Sequence, residues 1–263
     1  MRRTPAGRGL LEAGRPVFGM FVVGVDSPCL ATIVAAGGLD FLVVDLEHSP
    51  LAPPQVERLL HAARAEDVVA LVRVGTCDRD SVSRAMDLGA DGVIAARVES
   101  GHEAGELVRF ARYAPEGDRG VTFVGPHDGF RSGDWLEKTR AANAGALCVA
   151  LVESVAGLEA IGDICATPGL DAVWVGWADL AQSLGCAGRP ADPVCVAAET
   201  RIREVCEAAG VALGIVPRGS EEAVRRIGEG YRLLALGTEA TLLQAAVRDA
   251  LGEIAVGLEQ ARA

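Results

Sequence analysis

Leu147-Cys148-Val149-Ala150-Leu151-Val152-Glu153 is an unbroken apolar run that ends on a carboxylate. No polar residue alternates with the apolar ones, so both faces of the segment must meet apolar surroundings. That is the pattern of a parallel strand covered on both sides, not of an antiparallel strand with one wet face. Outward from it in both directions stand seven more segments with strand character: Phe18–Val23, Phe41–Asp45, Val68–Val74, Gly92–Val98, Ala172–Gly176, Val211–Val216 and Leu233–Gly237. Most begin 22 to 27 residues after the one before, the length of one strand and one helix. Eight such units in 263 residues predict an α/β fold, a (β/α)8 barrel formed by residues 1–263 as one domain.

The segments between the strands carry helix signals. Ser27-Pro28 reads as an N-cap with proline at the first helical position, and Ser100 with Glu103 as a capping box. Asp78, Ser154, Asp192-Pro193 and Ser220 stand where further caps belong. Two intervals exceed one unit: Ser100–Ala146, with a Pro/Gly-containing loop over Tyr113–Gly133 and a short helix near Asp134–Ala142, and Asp179–Gly210. An open doubly wound sheet is the competing architecture. It would normally show a glycine-rich phosphate turn after its first strand, and Val23-Gly24-Val25-Asp26-Ser27-Pro28 has no such spacing.

Composition narrows the function classes. Half of the residues are hydrophobic and 23% are charged, which argues against disorder. A net charge of −11 repels polyanions, so nucleic acid is not an expected partner. No apolar run reaches the ~18 residues of a membrane span, and Met1–Leu10, with three arginines, does not read as a signal peptide. A cytoplasmic enzyme is expected. The seven cysteines (Cys29, Cys77, Cys148, Cys165, Cys186, Cys195 and Cys206) lack any C-x-x-C pair and read as buried small residues, not as disulfides or metal ligands.

In a barrel, chemistry collects at the C-terminal ends of the strands. Here those ends read Asp45-Leu46-Glu47-His48, Arg73, Arg97 with Glu99, Glu153, Trp177-Ala178-Asp179 and Thr238-Glu239. Glu153 and Asp179 end adjacent strands and could share a hard divalent cation of the Mg²⁺ or Mn²⁺ type, with Co²⁺ a further candidate. The alternative is an arginine partner for Glu153 and a capping role for Asp179. His48 is the sole strand-end histidine, and Asp45 could orient its ring as a general base. The other histidines, His61, His102 and His127, read as surface residues. Arg73 offers a planar fork for a carboxylate or an enolate oxygen, or for an ion pair with Asp45 or Glu47.

Four stretches carry a resemblance: Phe41-Leu-Val-Val-Asp45-Leu-Glu47-His48-Ser-Pro50, Arg112-Tyr-Ala-Pro-Glu-Gly-Asp-Arg119-Gly120, Val152-Glu153-Ser154 and Gly176-Trp-Ala-Asp179-Leu180. In order and spacing, from Phe18 to Thr241, the chain resembles the HpcH/HpaI aldolases, metal-dependent (class II) pyruvate aldolases. The resemblance implies metal ligation by Glu153 and Asp179, a His48–Asp45 dyad, and Arg73 at the pyruvate enolate. It further implies that the backbone N–H of Ala178 meets the pyruvate carboxylate and that Asp87 reaches a neighbouring subunit's site. A keto acid and an aldehyde are the implied substrates, and a homo-oligomer, a hexamer built as a trimer of dimers with an exchanged terminal helix, is the implied assembly.

Three departures fall near the implied pocket. Leu151 stands where the family often has Gln, Trp177 replaces a proline, and Ala95-Ala96-Arg97 replaces Val-Pro-Met. They imply a drier, narrower acceptor end with Arg97 as an added positive charge, suited to a small acceptor carrying a second carboxylate. Two other functions compete: a citrate-synthase-like or citrate-lyase-like Claisen reaction with oxaloacetate or an acyl-CoA, and a catalytically silent barrel kept for binding.

Overall fold

The computed structural model describes residues 6–261. The arginine-bearing Met1–Pro5, part of the stretch that argues against a signal peptide, lies outside the described residues. In chain order the elements are α1 (Gly9–Glu12), β1 (Val17–Val22), α2 (Cys29–Ala36), β2 (Phe41–Asp45), α3 (Pro53–Ala65), β3 (Val69–Val74), α4 (Arg79–Asp87), β4 (Gly92–Ala95) and α5 (Gly101–Ala111). A single 3₁₀ turn (Pro126–Asp128) follows, then α6 (Trp135–Gly145), β5 (Leu147–Val152), α7 (Val155–Glu159), α8 (Ile161–Cys165), β6 (Ala172–Val175) and α9 (Trp177–Ser183). The chain ends with α10 (Pro193–Ala209), β7 (Ala212–Ile215), α11 (Ser220–Gly228), β8 (Leu233–Thr238) and α12 (Glu239–Gln260). The eight strands pair in parallel, in sequence order, and β8 closes on β1.

The missing polar alternation in the strands has its explanation here. On β2, Phe41 and Val43 face the barrel interior while Leu42 and Val44 face the helices, so alternate residues enter two different apolar environments. The interior is filled by Phe21, Phe41 and Trp174, the last meeting both phenyl rings edge-on at 5.7 and 6.4 Å. Room for these rings comes from glycine: a Cβ on Gly19 would stand 2.4 Å from the Phe41 ring, and one on Gly214 2.4 Å from Trp174.

The N-terminal end of the barrel repeats a device that strand and helix spacing do not disclose. Gly38, Gly89 and Gly169 each turn the chain at positive φ, and two residues later Asp40, Asp91 and Asp171 lead into β2, β4 and β6. Each carboxylate accepts a backbone N–H from the preceding strand: Phe18 (2.8 Å), Ala70 (2.9 Å) and Cys148 (2.8 Å). Before β8 the same place holds Gly230-Tyr231-Arg232, with arginine for aspartate. These charge-assisted bonds lock neighbouring strands in register at the end of the barrel devoted to stability.

Several expectations are corrected. Strand 4 stops at Ala95, because Arg97 takes φ +50°. Ser27 contributes its carbonyl, not its hydroxyl, to the start of α2, while Asp78, Ser154 and Asp192 cap as expected. Ser100 accepts from Glu103 N–H, but the Glu103 carboxylate reaches back to the N–H of Glu99 instead of closing the box. Ser220 is the first residue of α11 and not its cap. His127 is buried, because Arg64 donates to the carbonyls of Pro126 and His127 and draws that turn onto the body of the molecule. Cys29 is exposed and Cys77 partly so. Cys186 and Cys195 form a disulfide. Spacing alone hides this pairing, since the connecting loop doubles back through Gly185 and Gly188, both at φ +74°. No helix among the described residues is long and apolar enough to cross a membrane.

The disulfide closes a short loop between α9 and α10, so its removal should lower stability by about 2–3 kcal/mol through the unfolded chain's regained freedom. Cys186→Ser with Cys195→Ser should melt several degrees below the oxidised wild type. Reduction of wild type should give the same shift. Coincident melts with and without dithiothreitol would count against the bond.

Candidate active site

The C-terminal strand ends bring Asp45, Arg73, Glu153 and Asp179 to one rim, and the first pairing is set by sheet register. Asp45 ends β2 directly opposite Arg73 on β3. Its carboxylate is fully buried and takes both Nε (2.8 Å) and Nη2 (2.6 Å) of Arg73. Burial pushes the Asp45 carboxyl up, but the Arg73 fork and the backbone N–H groups of Glu47 and His48 outweigh it and hold it below the ordinary range. Asp45 accepts no hydrogen bond from the His48 ring, so it does not orient that ring as expected. Asp45 shapes the loop through the Glu47 N–H (2.9 Å), while the His48 ring is 65% exposed, with Glu47 the nearest carboxylate at 3.8 Å from Nε2. Of the two partners considered for Arg73, both are present: Asp45, and Glu47 at 3.4 Å from Nη1. The guanidinium also lies 5.1 Å over the Phe21 ring.

Glu153 follows β5 and is only 7% exposed. It packs against Gly176, where a Cβ would come within 2.7 Å of its Oε2, so the carboxylate lies over the entry to α9, the helix that carries Trp177, Ala178 and Asp179. One protein donor reaches it, the backbone N–H of Arg97 at 2.9 Å. Burial and then the charge of Glu47 raise its pKa to about 7; Asp179 adds to the shift, while the Arg97 N–H and Arg73 oppose it. Glu47 itself has a buried Oε2 without a hydrogen-bond donor. Burial thus leaves the Glu153 carboxylate short of positive charge, with Asp179 and Glu47 adding negative field. No group of three or more His, Cys, Asp or Glu side chains that could hold a metal ion occurs among the described residues, so the donors that fit a hard divalent cation are the two carboxylates Glu153 and Asp179, with further oxygens left to substrate and water. The arginine-partner alternative for Glu153 is not what the structure shows, since Arg73 is committed to Asp45 and acts on Glu153 only through its field.

The remaining expected residues divide. Leu151 is buried in the barrel interior, its Cδ1 beneath Gly176. Trp177 borders a mouth cavity of about 580 Å³ lined also by Phe21, Arg73, Leu236 and Leu242. Arg97 is placed differently from expectation: its side chain is 68% exposed and leans toward Glu99 at 3.4 Å, and it is its backbone N–H that serves the site. Asp87, the last residue of α4, pairs at 2.6 Å with the buried Arg119 from the loop after α5. Ala178 is exposed beside Asp179. Two rim residues have roles that the sequence reading does not assign: Glu239, read only as a strand end, and Arg218, not read there at all. Glu239 accepts the successive N–H groups of Val23, Gly24 and Val25 and fixes the loop after β1. Arg218, after β7, stacks on Trp177 with its guanidinium carbon 4.7 Å from the ring centroid. The signal for Arg218 was present, since Val216-Pro217-Arg218-Gly219 stands at a strand end like the others.

Comparison with known proteins agrees with this geometry. The family model for HpcH/HpaI aldolase/citrate lyase matches residues 17–246. A hydroxypyruvate/pyruvate aldolase of Paraburkholderia phytofirmans is 34% identical over 250 residues, covering 93% of this chain and 95% of that protein. A 4-hydroxy-2-oxo-heptane-1,7-dioate aldolase of Shigella sonnei is 32% identical, with 90% and 89% covered. Among solved structures, an HpcH/HpaI aldolase from Desulfitobacterium hafniense superposes with a TM-score of 0.90 at 28% identity, over 95% of this chain and 97% of that one. The citrate synthase SbnG gives 0.86 at 27% identity, over 97% and 100%. With a closed parallel barrel, carboxylates gathered on its C-terminal rim and a family match spanning nearly all its strands and helices, the chain belongs to the HpcH/HpaI aldolase/citrate lyase family.

Proposed function

We propose that this protein is a metal-dependent carbon–carbon lyase that removes a proton from the methyl carbon of a pyruvate-type keto acid and joins that carbon to an aldehyde, or runs the reverse cleavage. The observation that carries the reading is the charge-deficient carboxylate of Glu153, buried beside Asp179 and Glu47 on a rim that also holds a fixed guanidinium. Its relatives of 34% and 32% identity are aldolases. Glu153 and Asp179 would hold the cation, Mg²⁺, Mn²⁺ or Co²⁺, which when bound supplies Lewis-acid polarisation of the keto acid.

The chain's own residues do the rest. Arg73, immobilised by Asp45, presents its remaining edge to the negative charge that develops on the keto oxygen, without having to reorganise. The Ala178 N–H orients the keto-acid carboxylate. His48 takes the methyl proton; the new bond forms to the aldehyde carbonyl carbon, and a proton returns to the resulting alkoxide oxygen. Asp45 acts as a positioning residue for Arg73 and for the loop bearing His48. A Claisen reading is favoured by one observation, the near-equal likeness to a citrate synthase.

Assembly belongs to the same proposal. On α12 the residues Leu243, Val247, Leu251, Ile254 and Leu258 are exposed and recur at helical spacing, and Glu239 is the helix's one buried residue. Such a stripe needs a partner, and a second copy of the chain, in a hexamer, is the proposed one, with Asp87 approaching a neighbour's site.

Four measurements test these readings. Exhaustive EDTA should abolish exchange of the pyruvate methyl protons, and Mn²⁺ or Mg²⁺ should restore it; full exchange without metal would favour the Claisen alternative. Glu153→Gln should lose most divalent-ion affinity by calorimetry. Asp45→Asn should lower turnover on the order of 10² or more and weaken keto-acid binding by freeing Arg73, whereas unchanged keto-acid affinity would mean that Asp45 does not act through Arg73. Sedimentation should show an assembly that Leu251→Arg breaks into smaller species, and a monomeric wild type would remove the oligomer.

A further inference from the structure

The mouth cavity of about 580 Å³ is walled chiefly by apolar side chains, among them Phe21, Val23, Val216, Leu236 and Leu242. The cationic side chains lining it are Arg73 and Arg218. Arg73 is fixed by Asp45 through two hydrogen bonds, has Glu47 3.4 Å from its Nη1, and is already assigned to the keto oxygen in the proposed function. Arg218 is held differently. One edge of its guanidinium is fixed by Glu222, with Nε at 2.7 Å from Oε2 and Nη2 at 3.0 Å from Oε1, and its backbone N–H closes on the same carboxylate at 2.9 Å. Its flat face rests on Trp177. Nη1 makes no hydrogen bond to any described residue, and the side chain is 39% exposed. A guanidinium stacked by its face and clamped by one edge can bind only through its other edge, and a carboxylate matches that edge in shape and charge. Oε1 of Glu222 is also shared with Arg225 and Arg226, which Glu229 and Glu199 serve in turn, so Arg218 does not hold its counter-charge alone.

We propose that Arg218 is the specificity-determining residue of the acceptor end, binding a carboxylate carried by the aldehyde while Trp177 walls the acceptor's apolar chain. This rests on the aldolase reading and moves the second-carboxylate role from Arg97, which points to solvent, to Arg218, which borders the cavity. Trp177 then serves twice, narrowing the mouth and supplying the surface that aims the guanidinium.

The test compares two straight-chain aldehydes of equal length, one ending in a carboxylate and one in its methyl ester, with pyruvate as donor and Mg²⁺ or Mn²⁺ present. Wild type should favour the carboxylate. Arg218→Gln should lower kcat/KM for the carboxylate aldehyde about 10- to 100-fold, the range of a charge-assisted hydrogen bond, and shift the ester less than about threefold. Exchange of the pyruvate methyl protons, measured on both proteins, reports the donor half of the site and proper folding. Arg97→Gln should leave the ratio of the two aldehydes as in wild type. Equal loss for both aldehydes with exchange intact, no loss for either, or a ratio that collapses in Arg97→Gln instead would overturn the role of Arg218. A wild type that exchanges no pyruvate protons with any of these metals overturns the aldolase reading itself, a separate signature.

Discussion

A carboxylate with no solvent exposure must find a partner or give up its charge, and Asp45 finds Arg73 across one strand pair, in register, through two hydrogen bonds. Much of the rim follows from that pairing. Arg73 is immobilised as a fixed dipole at the mouth, and its charge is largely answered before it can serve Glu153. Glu153 is then left without an ion pair to any described residue, and Glu47 has Arg73 only at 3.4 Å, so carboxylates dominate this part of the rim. The loop that carries His48 starts from the same carboxylate, through the Glu47 N–H, so the placement of that loop and of the arginine share one anchor.

The two ends of the barrel treat charge in opposite ways. At the N-terminal end Asp40, Asp91 and Asp171 are each answered by strand N–H groups and, for Asp40 and Asp171, by arginines. These three carboxylates all have their partners, and the result is rigidity. At the C-terminal end Glu153 forms no ion pair with a described residue, and the outer edge of Arg218 has no hydrogen-bond partner among them although its charge is answered by Glu222. A barrel tied by hydrogen bonds at its base can hold such unsatisfied groups at its mouth, since the strand register that positions them is secured elsewhere.

The mouth is also apolar. Leu151 beneath Gly176, Phe21 under Arg73 and Trp177 under Arg218 replace water around the ionic groups with hydrocarbon and aromatic surface. In such surroundings each charge acts over a longer range than in water. The staple between Cys186 and Cys195 ties the loop after α9, so the helix bearing Asp179 and Trp177 is restrained at its far end as well.

The amino-acid sequence was enough for the barrel, because the alternation of environments within each strand and the βα spacing are local and repeat along the chain. It also placed Glu153, Asp179, Arg73 and His48 at the C-terminal strand ends, since an ionisable residue ending an apolar run stands out from it. Its failures share a cause. Whether Asp45 faces His48 three residues on or Arg73 one strand over depends on side-chain direction, and sheet register outranks nearness in sequence. Arg97 could be read as a strand residue until its positive φ turned the side chain outward. The Cys186–Cys195 bond, the buried His127 and the stacking of Arg218 on Trp177 each join segments whose meeting is set by loop paths. Loops have no periodicity to read, so the folded chain alone could decide which groups they bring together and which edge of each is left to bind.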